Sequence, residues 1–214
     1  MKIFKEELKQ IRNLIFDVDG VFTDGSILIH EDGSMLRTMN TKDGYAVKAA
    51  LHAGFRVCII SGGTNPAVQK RLNDLGVKDV FLGIHDKEKT LEKYLSDNNL
   101  KASESLFMGD DIPDIPAMNK VHLATCPNDA VPEVRAASDY ISHVPGGKGC
   151  VRDVIEQTLK IHGKWGGFFE ARKGGAFGGV HSSTRYRFSG SSARSVLLPT
   201  IPGANISSIS RPSA

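Results

Sequence analysis

Short apolar runs that stop at polar or acidic clusters organise this chain. The run Asn13–Phe16 stops at Asp17-Val18-Asp19-Gly20, and Arg56–Ile60 stops at Ser61-Gly62-Gly63. Val80–Leu82 gives way to Gly83-Ile84-His85-Asp86-Lys87, and Ser105–Met108 to Gly109-Asp110-Asp111. Runs this short, without alternation, read as strands buried on both faces. Between them the apolar spacing turns helical. It predicts helices over Asp43–Ala53 ending at Gly54, Pro66–Leu75 with Pro66 in the first turn and Gly76 past the end, and Lys87–Asn98. A short helix starts at Asp114–Asn119, Val131–Ala137 lies between strands at His122–Ala124 and Tyr140–Ile141, and Gly149–Ile161 is a final helix. Met1–Gln10 carries Ile3, Phe4 and Leu8 at helical spacing and predicts a short amphipathic helix. Strands alternating with helices mean an α/β fold with a doubly wound parallel sheet, Rossmann-like in plan. One signal departs from that rhythm. Ser26–His30 and Met35–Thr38 flank Glu31-Asp32-Gly33, which predicts a β-hairpin flap directly after the first strand. No inserted segment is long enough for a cap domain.

In an open parallel sheet the carboxyl ends of the strands share one edge, and ligands bind in the crevice there. The four polar clusters should therefore meet. Asp17 and Asp19 are two residues apart and share a face of an extended chain. Alone, such a pair is also compatible with a solvated turn; burying it demands a cation or a shared proton. That demand suits a hard divalent metal and an oxyanion substrate. Ser61 and the amides of Gly62 and Gly63 can donate hydrogen bonds to phosphoryl oxygens, with small residues allowing close approach. Lys87 can place positive charge on the same oxygens, although an isolated lysine is usually solvated. Asp110, Asp111 and Asp114 crowd three carboxylates into five residues, so some must meet cations, while N-capping competes for Asp114.

The stretches DVDGVFTDG (Asp17–Gly25), NTKDGY (Asn40–Tyr45), Arg71, Lys87, GDDIPD (Gly109–Asp114) and GGKG (Gly146–Gly149) together resemble the haloacid dehalogenase superfamily of aspartyl phosphatases. Within it they resemble the cap-poor 3-deoxy-D-manno-octulosonate 8-phosphate phosphatases, over about residues 10–165. The resemblance implies a Mg²⁺-dependent phosphomonoesterase of lipopolysaccharide precursor synthesis. It makes Asp17 the nucleophile and Asp19 the general acid and base, with Ser61 and Lys87 completing the catalytic set. Mg²⁺ would be held by the Asp17 carboxylate, the Asp19 backbone carbonyl and the Asp110 carboxylate, with Asp111 and Asp114 orienting its waters and Lys87. Contacts to the phosphosugar acid fall to Asp19, Asn40, Thr41, Lys42, Asp43, Gly44, Lys48, Gly62, Arg71 and Lys87. Gly63 stands where this family commonly has Arg, and Lys48 likewise, and the two cations differ in how they grip carboxylates. A nine-carbon sialic-type acid 9-phosphate is therefore the alternative substrate. A phosphosugar-binding protein without catalysis is the second alternative, opposed by the intact Asp17, Asp19, Lys87 and Asp110. The resemblance also implies a homotetramer with shared active sites, in which Lys148 either reaches a neighbouring site or is an ordinary surface lysine.

Composition narrows the field further. The chain has 214 residues, room for one α/β domain, and a net charge of +3 from 27 Lys and Arg against 24 Asp and Glu. Residues 166–214 hold six of those bases against Glu170 alone, leaving 21 against 23 in residues 1–165. The basicity belongs to the tail, so it gives no reason to expect nucleic-acid binding. Gly, Ser and Pro make up 21 of those last 49 residues, which predicts a flexible tail without a catalytic role beside a phosphatase domain at 1–165. Cys58, Cys126 and Cys150 lack paired or clustered spacing and read as reduced core thiols. Neither a membrane span nor an uninterrupted apolar leader is present, so a cytoplasmic location without membrane partners is expected. No G-x-x-x-x-G-K-[S/T] loop occurs, which disfavours a kinase or GTPase.

Overall fold

Strand β1 (Asn13–Phe16) is buried at every position and lies inside a six-stranded sheet. In the computed structural model, which describes residues 3–167, short elements precede and follow it: α1 (Phe4–Glu7), then a hairpin of β2 (Leu28–Ile29) and β3 (Met35–Leu36). Next come α2 (Thr41–His52), β4 (Arg56–Ile60), α3 (Pro66–Asp74), β5 (Asp79–Phe81), α4 (Lys87–Asp97) and β6 (Ser105–Met108). The series ends with α5 (Ile115–Met118), β7 (Leu123–Cys126), α6 (Pro132–Ala137), β8 (Tyr140–Ile141) and α7 (Cys150–Ile161). The sheet order is β5-β4-β1-β6-β7-β8, and every pairing is parallel. From residue 168 onward the basic Gly/Ser/Pro-rich stretch lies outside the described residues.

Alternation along the strands sorts the core into two halves. Leu14, Phe16, Val57, Ile59, Leu106 and Met108 pack on one face, with Ala46, Val47, Leu72, Val154 and Ile155 of α2, α3 and α7. Ile15, Cys58, Ile60, Phe107 and Cys126 pack on the other, with Leu91, Met118 and Val134 of α4, α5 and α6. Both faces are covered, and this is why the strands read as unbroken apolar runs. The order of the sheet reverses at β1. Its carboxyl end, between those of β4 and β6, is the crevice where such sheets bind ligands.

Several boundaries differ from the sequence reading. Helix α2 starts two residues earlier than expected because the Asn40 side chain accepts the Lys42 N–H and caps it. The strand expected at His122–Ala124 runs instead over Leu123–Cys126, since the His122 N–H turns back to the carbonyls of Ala102 and Ser105. The amphipathic start shrinks to α1 and a 3₁₀ turn at Leu8–Gln10: Leu8 is buried and Phe4 stacks on Tyr140 at 3.8 Å, but Ile3 faces solvent. The hairpin forms where expected but with two-residue strands, Ile29 paired with Met35 and the turn held by the Ser34 N–H on Asp32. The three cysteines are free and buried, as their spacing implied. Among the described residues no helix is long and apolar enough to cross a membrane.

Candidate active site

The chain leaves β1 still bonded to its neighbour. The Asp17 N–H donates to the Met108 carbonyl at 3.0 Å, and this holds the Asp17 side chain at the sheet edge. Asp86 caps α4 by accepting the Lys89 N–H, so Lys87 opens that helix over the same edge. The Lys87 ammonium lies 3.1 Å from Asp17 Oδ2 and 2.6 Å from Asp114 Oδ1, with all three side chains buried. Asp114 Oδ2 accepts the N–H groups of Asp110 at 3.0 Å and Asp111 at 3.3 Å. Both Asp114 oxygens are thus engaged, and its part is to orient Lys87 and the Gly109–Asp111 turn. Asp111 is exposed and caps the 3₁₀ turn Ile112–Asp114, so the capping anticipated for Asp114 belongs chiefly to Asp111.

Two oxygens remain. Asp17 Oδ1 and Asp110 Oδ1 are buried without a hydrogen-bond partner, and Asp17, Asp110 and Asp114 each offer an oxygen within 4.8 Å of the others. Burial first, then the charge of Asp114, pushes the Asp17 pKa up to about 6 despite Lys87. Burial, followed by the charges of Asp17, Asp114 and Asp111, pushes Asp110 up to about 8. Burial alone would lower the pKa of Lys87, but Asp17 and Asp114 together outweigh it and raise it. One ammonium cannot neutralise three carboxylates. The orphaned oxygens and the all-carboxylate donor set fit a hard divalent cation such as Mg²⁺, with Asp17 and Asp110 as its carboxylate ligands.

Gly20 is what lets Asp110 come this near. Its φ is +80°, and a Cβ there would overlap the Asp110 carboxylate. Gly20→Ala is expected to cost about 1–2 kcal/mol for the left-handed backbone alone and to displace Asp110. Thermal melting should show the first loss and Mg²⁺ titration a weakened affinity; an unchanged Mg²⁺ affinity would mean that Asp110 is not held by this approach.

Between these groups lies a cavity of about 460 Å³, lined by Asp17, Asp19, Gly20, Ser61, Gly62, Gly63, Lys87, Asp110 and their neighbours. Ser61 is buried, and its Oγ accepts the Gly63 N–H at 3.3 Å, which leaves the hydroxyl proton free to point into the cavity. The Gly63 amide, expected to face phosphate, is committed to Ser61 instead. Asp19 stands at the rim, apart from the group that can hold a cation through side chains, with both oxygens facing the guanidinium of Arg37. Arg37 and His85 escaped the sequence reading. A lone arginine closing the apolar strand Met35–Leu36 was a usable signal for the first, and the position of His85 two residues before Lys87 for the second.

Of the expected sugar-acid contacts, Asp19, Gly62 and Lys87 line this cavity, and the others are not brought to it within one chain. Asn40 caps α2, and Thr41 and Lys42 lie exposed in its first turn. Asp43 is corrected outright. Its exposure is 0%, and its Oδ1 accepts the Arg152 N–H at 2.7 Å, capping α7 from a different helix. Burial raises its pKa to about 6 against that hydrogen bond. Gly44 is buried too, with Arg71 Nη2 only 2.9 Å from where a Cβ would stand. Arg71 lines a separate groove with Leu36, Arg37 and Met39, and Lys48 is half-buried on α2. Lys148 stays exposed, on a loop anchored within its own chain. The Gly147 N–H donates to the Val21 carbonyl at 2.9 Å, and Lys148 Nζ lies 3.2 Å from Asp24.

No protein-family model matches the chain. Individual proteins do. It is 35% identical over 156 residues, 73% of its length and 83% of the relative's, to the 3-deoxy-D-manno-octulosonate 8-phosphate phosphatase KdsC of Salmonella typhi. It superposes with a TM-score of 0.75 and 28% identity on the 3-deoxy-D-manno-octulosonate 8-phosphate phosphatase of Moraxella catarrhalis, solved with magnesium, phosphate and KDO, over 78% of this chain and 97% of that one. The cobalt-bound deoxy-D-mannose-octulosonate 8-phosphate phosphatase of Haemophilus influenzae gives a TM-score of 0.73 at 31% identity, over 78% and 97%. The chain belongs to the 3-deoxy-D-manno-octulosonate 8-phosphate phosphatase family of the haloacid dehalogenase superfamily.

Proposed function

We propose that this protein hydrolyses 3-deoxy-D-manno-octulosonate 8-phosphate to the free sugar acid and phosphate, through a phosphorylated Asp17, in the cytoplasmic synthesis of lipopolysaccharide precursors. The observation that carries the reading is Asp17, which lines the cavity with Lys87 and Asp110 and whose Oδ1 is buried without a partner. An Asp17 oxygen attacks phosphorus, the ester P–O bond breaks, and its electron pair settles on the departing sugar oxygen, which takes a proton from Asp19. Asp19 then takes a proton from water as the water oxygen bonds to phosphorus and the Asp17–phosphorus bond breaks. Ser61, Gly62 and Lys87 hold the phosphoryl oxygens as charge shifts among them. Asp17, Asp110 and the Asp19 backbone carbonyl would hold Mg²⁺, which when bound offsets the repulsion between carboxylates and a phosphate dianion. The names of the relatives support the eight-carbon substrate. Phosphate release measured over eight- and nine-carbon phosphosugar acids tests it: the eight-carbon acid is expected to give the highest kcat/KM, and preference for the nine-carbon 9-phosphate would overturn the choice.

The cover over the cavity is proposed to come from assembly into a homotetramer. Among the described residues the segment between β1 and α2 forms only the β2–β3 hairpin, and its apolar side chains face outward, with Leu28 68% and Ile29 73% exposed. A second copy burying them would complete the sites and account for sugar-acid contacts from Asn40–Lys42 across an interface. Burying each such side chain is worth about 1.5–3 kcal/mol. Sedimentation is expected to show a species of four chains, and Leu28→Ser with Ile29→Ser to dissociate it and depress turnover. A fully active monomer would refute the shared site.

A further inference from the structure

The flap returns from β3 through Arg37. Its Nε donates to Asp19 Oδ1 at 2.6 Å and its Nη2 to Asp19 Oδ2 at 3.1 Å. The Arg37 side chain is 8% exposed, while that of Asp19 is 34% exposed. Asp19 lines the large cavity, but Arg37 does not; it lines a small space next to Asp19 together with Ser61, Gly63 and Asn65. Gly63 keeps that space open, since a Cβ there would stand 3.1 Å from Asp19 Oδ2 and 3.8 Å from Arg37 Nη2. The guanidinium is itself fixed. Its Nη1 donates to the Met35 carbonyl at 3.3 Å, and the Asn65 amide, which caps α3, donates to that same carbonyl at 2.7 Å. A half-exposed aspartate beside an open cavity would otherwise distribute over rotamers. A two-point fork from a buried arginine selects one.

We propose that Arg37 is a positioning residue: acting through Asp19, it holds that carboxyl on the leaving-group side of the cavity and makes proton transfer depend on a seated flap. The inference rests on the roles proposed above for Asp17 and Asp19. When the Asp17 oxygen bonds to phosphorus and the ester bond breaks, the electron pair goes to the departing oxygen. An alkyl oxygen needs the Asp19 proton at that moment, whereas p-nitrophenolate carries the charge unaided. Misplacing Asp19 therefore slows alkyl esters far more than aryl ones. A residue that merely anchored the flap would affect both alike.

The test compares Arg37→Met, which removes the fork but keeps a similar stem, with Arg37→Lys, which keeps the charge and loses the second contact. The readout is kcat/KM, which reports the first phosphoryl transfer, on 3-deoxy-D-manno-octulosonate 8-phosphate and on p-nitrophenyl phosphate. Arg37→Met is expected to lower the alkyl value by roughly 10²-fold, the lower end of the loss for a missing general acid, with a several-fold smaller loss on the aryl ester and Arg37→Lys between. In an Asp19→Asn background, Arg37→Met should lower the alkyl value no further, because groups acting through one another are not additive. Equal losses on the two esters, or a full additional loss in the Asp19→Asn background, would overturn the proposal. A wild-type enzyme inactive on the sugar acid yet active on glycerol phosphate would instead defeat the substrate reading, and the Arg37 contrast would then be read on glycerol phosphate.

Discussion

Asp17→Asn is expected to leave a folded protein with turnover reduced on the order of 10⁴–10⁶-fold, the scale of removing a nucleophile from an intact catalytic set. Among the cavity's carboxylates only Asp17 combines a buried free oxygen with an ion pair to Lys87: Asp114 has both oxygens engaged, Asp110 has a free oxygen but is not paired with Lys87, and Asp19 is turned to Arg37. The substitution should not unfold the chain. The carboxylate it removes is held against burial and the charge of Asp114, so melting without metal is expected at an equal or higher temperature. Full turnover by a folded Asp17→Asn protein would remove Asp17 from the mechanism.

Chelation is the second large effect. EDTA is expected to abolish turnover and Mg²⁺ to restore it, because the acidic edge cannot receive a phosphate dianion uncompensated. The raised pKa values add a pH signature. Without metal, Asp17 titrates near 6 and Asp110 near 8, against 3.8 for an unperturbed aspartate. The fold then binds protons that the unfolded chain has released. Stability from these groups is full below pH 3.8 and is lost as the pH rises through 6 and then 8. Mg²⁺ competes with those protons, so its stabilisation, about 2.7 kcal/mol at a hundredfold excess over Kd, should be larger at about pH 8.5 than at about pH 5.5. Scanning calorimetry with and without Mg²⁺ at the two pH values decides it. Turnover that survives exhaustive chelation, or a metal effect that shrinks as pH rises, would count against the carboxylate site.

The catalytic edge was legible in the sequence because topology does most of the work. Once Asn13–Phe16, Arg56–Ile60 and Ser105–Met108 are buried parallel strands, their carboxyl ends must adjoin, and Asp17, Ser61 and Asp110 follow with them. Lys87 was legible for the same reason, as the first residue of a helix leaving that edge. Contacts set by side-chain direction were not. The family resemblance placed Asp43 among the sugar-acid contacts, but the helix that begins at Thr41 turns it inward to cap α7, a pairing 109 residues apart that no local pattern encodes. Arg37 was hidden for a related reason: its partner Asp19 lies 18 residues back, across the flap turn. The packing of Gly146 and Gly147 directly on the Gly20–Asp24 backbone was equally hidden, a close approach that glycines permit without announcing.

The most direct measurement is a rapid-quench single turnover of 3-deoxy-D-manno-octulosonate 8-phosphate with Mg²⁺, followed by mass spectrometry of the peptides. A phosphoryl group is expected on Asp17 that forms and decays fast enough to carry turnover, and that persists longer in Asp19→Asn, where water is poorly activated. Phosphate release with no adduct on Asp17 in either protein, or with the adduct on another residue, would contradict it.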